Sequence, residues 1–245
     1  MWEYDELQFY ETSTCTMPCG ITITAPTLTE ISKFGEERYL SMLSILTAEP
    51  FDLPYQLSKV GIDYTQIDSF TLFCHLVQSL TVDETRLLLG DFDFSQFKPI
   101  VKDGQAVLIN RQKQMITKAD REQLVNCIRK IHHLPKQQFS KVGNEFAKEM
   151  FIETARKDME RAKRKRQLMG RQSTYLPLMS SIIAHEGFSY TWDNIWNLHI
   201  HQFFDCVQRM QLRDNAKNLY HGLYSGTIEY SKIKKDLEWF KPLKG

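Results

Sequence analysis

The chain has 245 residues, 42% of them hydrophobic and 25% charged, and its 31 Lys and Arg nearly cancel its 30 Asp and Glu, leaving a formal net charge of +1. This composition excludes a chain that is disordered throughout, because disorder requires fewer apolar residues and a larger net charge. It also excludes strong attraction of the whole molecule to nucleic acid or to a membrane surface, because a charge of +1 produces almost no net field.

Helical patterns dominate the first 143 residues. Residues 20–26 alternate apolar and β-branched side chains and predict a short strand that ends at Pro26. Around residues 97–110, Asp103-Gly104 separates two β-prone runs, which predicts a β-hairpin. Capping residues and apolar steps of three and four predict helices that begin near Thr27, Pro54, Asp68, Asp83 and Thr117, the first running to Pro50 and the last to Pro135. We therefore expect a mainly α fold, a multi-helix globular protein with a short N-terminal strand and one small β-hairpin near residues 97–110.

A long, polar-rich helix is predicted from about Glu145 to Met169, between Asn144 and Gly170. Its apolar residues recur at helical spacing and are Phe146, Met150, Phe151, Ala155, Met159 and Ala162. Further helices are predicted at about 173–184, 194–210, 214–223 and 230–239. This pattern divides the chain into an N-terminal helical domain with the hairpin (1–143), a long basic helix (144–170) and a C-terminal helical region (171–245), and it leaves open whether they pack as one domain.

Four groups of residues are candidates for chemical sites, and each has a simpler structural interpretation. His199 and His201 stand two apart, so on a helix their rings point about 200° from each other and cannot share one metal ion without other ligands. His132 and His133 have the same spacing problem, and there an imidazolium at a helix C-terminus or a surface position explains the residue. Cys15 and Cys19 have no second Cys or His pair at zinc-site spacing. Asp91 and Asp93 fit a turn in which the carboxylate accepts backbone hydrogen bonds.

The chain contains neither a G-x-S-x-G elbow nor a phosphate-binding glycine loop. We therefore expect a non-enzymatic protein with no catalytic residues, no metal ligands and no cofactor. An aromatic group in the last third is predicted to belong to the core instead of forming a base-stacking platform. Its members are Phe188, Tyr190, Trp192, Trp196, Phe203 and Phe204.

Positive charge is concentrated in one segment. Residues 156–171 hold eight Lys and Arg against Asp158 and Glu160, which leaves +6. Three interpretations are open: a solvated helix end whose cations favour the negative pole of the helix dipole, a partner-binding surface, or contact with a phosphate backbone. The partner-binding residues that we predict are Arg161, Lys163, Arg164, Lys165 and Arg166.

The first 32 residues carry five acidic side chains and no Lys or Arg. This is the reverse of the basic start of a signal peptide, and no stretch is apolar enough for a membrane span, so we expect a cytosolic protein that has no contact with membranes. The five cysteines are odd in number and irregularly spaced, which favours free, mostly buried thiols over a disulfide framework. The acidic start of one copy could dock on the basic helix of another, so self-association is also expected.

Several stretches in sequence order resemble a family of proteins encoded in the tail-morphogenesis region of long-tailed phages and prophages of Gram-positive bacteria. They are Ile31–Tyr39, Gly61–Tyr64 with Leu72–Cys74, Leu87–Phe94, Gly143–Lys148, and Gly222–Glu229 followed by Lys232–Lys235 and Trp239. None of these stretches is a catalytic motif. The resemblance implies a non-enzymatic phage morphogenesis protein, of the tail assembly chaperone kind, that coats a tape-measure protein.

Two alternative functions stay open beside this chaperone. One is a structural virion component of the tail or tail tip, in which the strand near Ile21 and the hairpin around Gly104 pair with neighbouring subunits. The other is a DNA-binding or regulatory protein that uses the basic helix. The expected partner is a phage tail protein such as the tape measure, with nucleic acid as a further candidate. The expected location is the cytoplasm of the bacterial host, or alternatively the virion.

Overall fold

Helices make up most of the computed structural model, which describes residues 5–102, 104–135 and 143–240. The α-helices of the described residues are α1 (Glu6–Thr12), α2 (Leu28–Phe34), α3 (Glu36–Thr47), α4 (Pro54–Lys59), α5 (Ser69–Val77), α6 (Val82–Leu89), α7 (Lys118–Ile131), α8 (Glu145–Met169), α9 (Tyr175–Ala184), α10 (Ile200–Tyr224) and α11 (Tyr230–Ile233). Short 3₁₀ helices lie at Pro50–Asp52, Phe94–Gln96 and Ile195–Asn197. The mainly α fold predicted from the sequence is confirmed.

Five short strands form two small sheets in this part of the chain. They are β1 (Thr14–Thr16), β2 (Thr22–Thr24), β3 (Lys98–Lys102), β4 (Gln105–Ile109) and β5 (Met115–Ile116). β1 and β2 pair antiparallel, and β3, β4 and β5 form an antiparallel meander. The predicted N-terminal strand and hairpin are therefore present, whereas β1 and β5 were not predicted. Gly104 has a φ of 76°, as a tight hairpin turn requires, while the other predicted turn residue, Asp103, lies outside the described residues.

The predicted helix from Thr27 to Pro50 is two helices. Thr27 and Glu30 form the expected capping box, in which the Thr27 side chain accepts from the Glu30 backbone N–H and the Glu30 carboxylate accepts from the Thr27 N–H. Gly35 then takes a φ of 100°, ends α2 and begins α3. Side chains other than glycine rarely adopt this conformation, so the change of direction occurs there.

The last third departs from the prediction at two helices. The predicted helices at 194–210 and 214–223 are one continuous helix, α10, preceded by the 3₁₀ turn Ile195–Asn197. Asp214, which marked a helix start in the sequence, instead accepts a hydrogen bond from His185 at 2.9 Å. The predicted final helix at 230–239 is only the four residues of α11.

One hydrophobic core joins the beginning and the end of the chain. Its members from the N-terminal part include Phe9, Ile31, Tyr39, Phe73, Leu108 and Ile128, and those from the C-terminal part include Tyr175, Met179, Ile182, Ile200, Phe203 and Val207. A smaller cluster of Leu57, Tyr64 and Leu72 lies beside it and is covered in part by Ile152 of α8. Helix α8 therefore lies over the small cluster, and α9 and α10 close the main core.

A candidate partner-binding surface on helix α8

Helix α8 is long because nothing inside it interrupts the helix. The Asn144 side chain accepts from the Ala147 N–H at 2.8 Å, which caps the first turn, and Gly170, with a φ of 68°, follows the last turn. The 25 residues between them contain no Gly or Pro and extend about 37 Å. None of the 25 side chains is buried. A helix of this length usually buries one face, so α8 presents an unusual amount of exposed surface.

The first half of α8 is held against α4 and the loop that follows it. The Lys148 ammonium lies 2.5 Å from a carboxylate oxygen of Asp63. This hydrogen bond, with help from the Thr65 backbone N–H, lowers the pKa of Asp63 to about 2. One turn further on, the ring of Phe151 stacks on Tyr64 with centroids 5.8 Å apart. The ion pair and the ring stacking together determine which side of α8 faces the rest of the protein.

Ion pairs within α8 neutralise part of its charge. Arg156 bridges Glu153 at 2.6 Å and Glu160 at 2.5 Å, and this Arg156 hydrogen bond lowers the pKa of Glu153 to about 2. Lys157 lies 3.5 Å from Glu153, and Arg161 lies 3.2 Å from Asp158. Asp158 and Glu160 are already subtracted in the net +6 of residues 156–171, so Glu153 is the carboxylate of these pairs that offsets this excess further.

Two adjacent glutamates of α3 fasten the end of α8 and the start of α9. Glu37 pairs with Arg166 and, at 3.3 Å, with Arg171. Glu36 accepts hydrogen bonds from the Ser173 hydroxyl at 2.6 Å and from the backbone N–H groups of Thr174 and Tyr175. Glu36 therefore shares the capping of α9 with Ser173, whose hydroxyl accepts from the Leu176 N–H at 2.9 Å, while Thr174 makes no capping hydrogen bond.

The five predicted partner-binding residues differ in their availability. Arg161 pairs with Asp158, and Arg166 pairs with Glu37. Lys163, Arg164 and Lys165 are exposed and form no ion pair with any residue of the described ranges. The structure does not gather the five into a pocket; they follow one another along an exposed helix end.

Exposed apolar residues of α8 were missed by the sequence reasoning. Phe146, Met150 and Leu168 have exposed fractions of 72%, 52% and 87%. The helical spacing of Phe146 and Met150 shows that they share a face but not whether that face is buried or exposed. The sequence does not show on which side of α8 the distant residues Asp63 and Tyr64 pack.

The histidines are placed differently from the expectation. His132 is buried at the end of α7, where its Nδ1–H donates to the Ile128 carbonyl at 2.7 Å and its Nε2 accepts from the Tyr39 hydroxyl at 2.6 Å. Burial lowers the pKa of His132 to about 4, so the ring is neutral, and the predicted imidazolium on the surface is wrong. His201 is also buried, between the rings of Phe9 and Tyr10, and burial lowers its pKa to about 4 as well.

The remaining predicted candidates have local structural roles. Asp93 accepts from the Ser95 backbone N–H at 2.9 Å, as expected for a turn, and Asp91 lies 3.4 Å from Arg86. Cys15, Cys19, Cys74, Cys127 and Cys206 are free thiols, and two of the five, Cys74 and Cys127, are buried. Among residues 5–102, 104–135 and 143–240, no group of three His, Cys, Asp or Glu side chains is arranged to hold a metal ion.

The aromatic group belongs to the core with one exception. Phe203 is buried, and Phe188, Tyr190, Trp196 and Phe204 pack against the core, while Trp192 is exposed. A cleft of about 240 Å³ lies between α2 and α9 and is lined by Leu28, Ile31, Ser32, Glu36, Ser173, Tyr175, Leu176, Met179 and Trp196. Ligand pockets are usually larger, at about 300–1,000 Å³, and the carboxylate of Glu36 in this cleft is already used as a cap.

No helix within the described residues combines the length and the apolar character that crossing a bilayer requires.

A family model matches the C-terminal part of the chain. The family model of the YomV second domain matches residues 173–244, which include α9, α10 and α11 and leave α8 outside. YomV is a protein of Bacillus phages and prophages, so this part of the chain is similar to a phage-associated domain. No curated protein and no solved structure matches the chain.

Proposed function

We propose that the chain is a non-enzymatic phage morphogenesis protein, a tail assembly chaperone that binds a tape-measure protein through α8. The observation that carries the proposal is the exposure of α8, a 25-residue helix with no buried side chain. Long helices in globular proteins are normally stabilised by burying an apolar face, so an exposed one of this length suits contact with a partner. The similarity of residues 173–244 to a phage-associated domain supports the phage context.

The charges on α8 favour a protein partner over DNA. Lys157, Arg161 and Arg166 already pair with carboxylates of the same chain, as do Arg156 and Arg171. A nucleic-acid surface needs several free cations spread over a wide face, because each neutralised phosphate contributes to the affinity. Binding of the chain to duplex DNA at low ionic strength, with affinity that falls steeply with salt, would instead support the DNA-binding alternative.

Co-expression tests the chaperone proposal. The chain and the tape-measure protein of the same phage are produced together and separately, and the soluble fraction of the tape-measure protein and any co-purifying complex are measured. We expect a complex and a larger soluble fraction when both are present. If both proteins are made and neither effect occurs, the proposal is wrong.

In the alternative function, a structural virion component, strands at sheet edges pair with neighbouring subunits. One observation on β3 supports it. All five residues of β3 are exposed, so an edge is accessible. However, Pro99 has no backbone N–H to donate, and Lys98 and Lys102 place charge on the strand, which are features that discourage edge-to-edge pairing. Mass spectrometry of purified particles separates the two functions, because a structural protein is present in the virion in many copies and an assembly chaperone is absent.

For the chaperone we propose the host cytoplasm as the place of action, and for the virion alternative the particle itself. The proposal requires no cofactor and no membrane contact. Fewer negative charges at the start of the chain are available for self-association than the sequence indicates. Glu6 pairs with Lys130 at 3.0 Å and Glu30 is held in the capping box of α2, while Glu3 lies outside the described residues.

A further inference from the structure

The outward face of α8 carries a continuous stripe of exposed side chains. Its members are Phe146, Met150, Thr154, Lys157, Arg161, Arg164 and Leu168, spaced 4, 4, 3, 4, 3 and 4 residues apart, and all are exposed. Residues at such spacing lie one above another on the same side of an α-helix. The stripe spans 22 residue steps, or about 33 Å. We call these seven residues the outward stripe.

The opposite side of α8 is the one that contacts the protein. On this side, Lys148 pairs with Asp63 and Ile152 packs on the small hydrophobic cluster. Further along the helix, Met159 contacts Gln56 and Arg166 pairs with Glu37. These contacts run from the first turn of α8 to its last. They fix the rotation of the helix, so the outward stripe faces solvent along its whole length.

The outward stripe has a distinct order: apolar at both ends and cationic in the middle. Phe146 and Met150 lie at one end and Leu168 at the other, and Lys157, Arg161 and Arg164 lie between them. Arg164 has no ion-pair partner in the described residues. Lys157 and Arg161 pair with Glu153 and Asp158 of the same helix, but both pairs are solvent-exposed and contribute little, so carboxylates of a partner can replace them. A surface that fits this order has apolar groups at two places and negative charge between them.

A second copy of the stripe and a phosphate backbone both fit poorly. Two parallel copies would place each cation against itself, and an antiparallel pair with Phe146 opposite Leu168 would place Lys157 against Lys157, which is repulsive. A phosphate backbone would complement the cations but would leave Phe146, Met150 and Leu168 in water. Burial of such apolar side chains is a main source of binding energy in helix-to-helix contacts.

We infer that the outward stripe binds an amphipathic helix of a different protein, one with carboxylates at the centre of its contact face and apolar residues at both ends. The inference rests on the proposed function in that it takes the partner to be a protein, and it specifies the chemistry of that partner. Complementary charge at the centre sets the register, and the apolar ends supply buried area.

Three designed peptides of about 25 residues, long enough to match α8, test the inference with the full-length chain. The first is a helix with Leu at both ends of one face and Glu at its centre. The second has Lys in place of the central Glu, and the third keeps the Glu and replaces the terminal Leu by Gln. Fluorescence anisotropy of labelled peptides measures binding. We expect the first peptide to bind at least about tenfold more tightly than either of the others.

Charge reversal on the protein provides the matched variant. Arg161→Glu combined with Arg164→Glu should weaken binding of the Glu-centred peptide by about tenfold or more and should confer binding of the Lys-centred peptide. Both positions are exposed, so circular dichroism should show an unchanged fold. Arg111→Glu combined with Lys113→Glu, an equal charge change at exposed positions far from α8 in sequence, should leave binding unchanged.

Several results would overturn the inference: no peptide binding at about 100 µM, equal binding of the Glu-centred and Lys-centred peptides, binding of duplex DNA in place of the peptides, or concentration-dependent self-association abolished by the same charge reversal. The inference and the proposed function fail separately. A tape-measure complex that survives the charge reversal would overturn the stripe as the docking site but leave the chaperone. Peptide binding without a tape-measure complex would keep the stripe and reject that client.

Discussion

Two buried histidines show how the interior of the protein depends on neutral imidazole. His132 makes two hydrogen bonds and suits its site as a neutral ring. His201 differs, because neither of its ring nitrogens has a hydrogen-bond partner among the described residues and aromatic rings flank it. Charging either ring would place a cation in an apolar environment, so both oppose protonation.

Stability should therefore fall on acidification. Each histidine has a pKa near 6.5 when unfolded and about 4 when folded, so the unfolded state binds more protons between these values. The free energy of unfolding is highest above pH 6.5 and decreases as the pH falls towards 4. The fully buried His132 should account for a decrease of about 3 kcal/mol. Urea unfolding at several pH values measures this change.

The substitution His201→Phe removes the contribution of one of the two histidines to the pH dependence of stability. At pH 7 the variant should be as stable as the natural chain or about 1 kcal/mol more stable, because two unpaired nitrogens are removed. Its loss of stability below pH 6.5 should be smaller. His221→Phe, at an exposed position on the same helix, serves as the control. An unchanged pH dependence in His201→Phe would contradict the neutral, buried ring.

A buried ion pair gives a second prediction at this scale. Arg121 is buried, lies 2.9 Å from Glu49 and donates to the Ala48 carbonyl at 2.8 Å. Glu49→Gln leaves the guanidinium without its counter-charge, and we expect a loss of about 3 kcal/mol in the free energy of unfolding. Glu122→Gln, at an exposed position next to Arg121 in α7, should change stability by less than about 0.5 kcal/mol. Equal effects in chemical denaturation would refute the assignment.

Helix boundaries were predictable where a local residue sets them. The bounds of α8 follow from Asn144 and Gly170, and the start of α2 follows from its capping box, because each signal lies within a few residues of the helix end. The division of α10 was wrong because Asp214 resembles a cap in the sequence and instead bonds a histidine 29 residues earlier. Similarly, β1 and β5 have only three and two residues, too few for an alternating pattern to be visible.

The candidate surface was predictable in its charge and not in its apolar ends. Lys163, Arg164 and Lys165 stand out in the sequence because cations are easily counted there. Phe146 and Met150 could be assigned to solvent only once the contact of Lys148 with Asp63, 85 residues earlier, was known. Sequence periodicity identifies which residues share a face but not what covers that face.

Glu36 and Glu37 allow the cap of α9 to be tested with neighbouring substitutions. Glu36→Ala removes the acceptor for the Thr174 and Tyr175 N–H groups and should cost about 1–2 kcal/mol. Glu37→Ala removes only exposed pairs with Arg166 and Arg171 and should cost less than about 1 kcal/mol. Hydrogen exchange of the first amides of α9 should quicken in the Glu36 variant alone. Faster exchange in both variants would argue against a capping role.

At the scale of the whole molecule, the matched segment 173–244 shares its core with the rest of the chain. Tyr175, Met179 and Phe203 lie in one cluster with Ile31 and Tyr39 of α2 and α3. Without residues 5–135, the apolar faces of α9 and α10 would be in water. The division into three regions stays a prediction, but this cluster joins the first and the last of them.

Expression of residues 173–244 alone tests this dependence. We expect a fragment with helical circular dichroism but poorly dispersed amide resonances and no cooperative thermal transition, because its apolar face lacks a partner. The intact chain, measured in the same buffer, should show both dispersion and a cooperative transition. A cooperatively folded fragment would contradict a shared core.

The clustering of residues from both ends of the chain also affects how the protein is made on the ribosome. Ile131 is the last core residue that the structure describes in the N-terminal part, and Val207 is synthesised 76 residues later. At about 5–20 residues per second, the nascent chain carries an incomplete, solvent-exposed core for roughly 4–15 s. Until α10 has left the ribosome, the nascent chain therefore exposes apolar surface of the kind that folding chaperones bind.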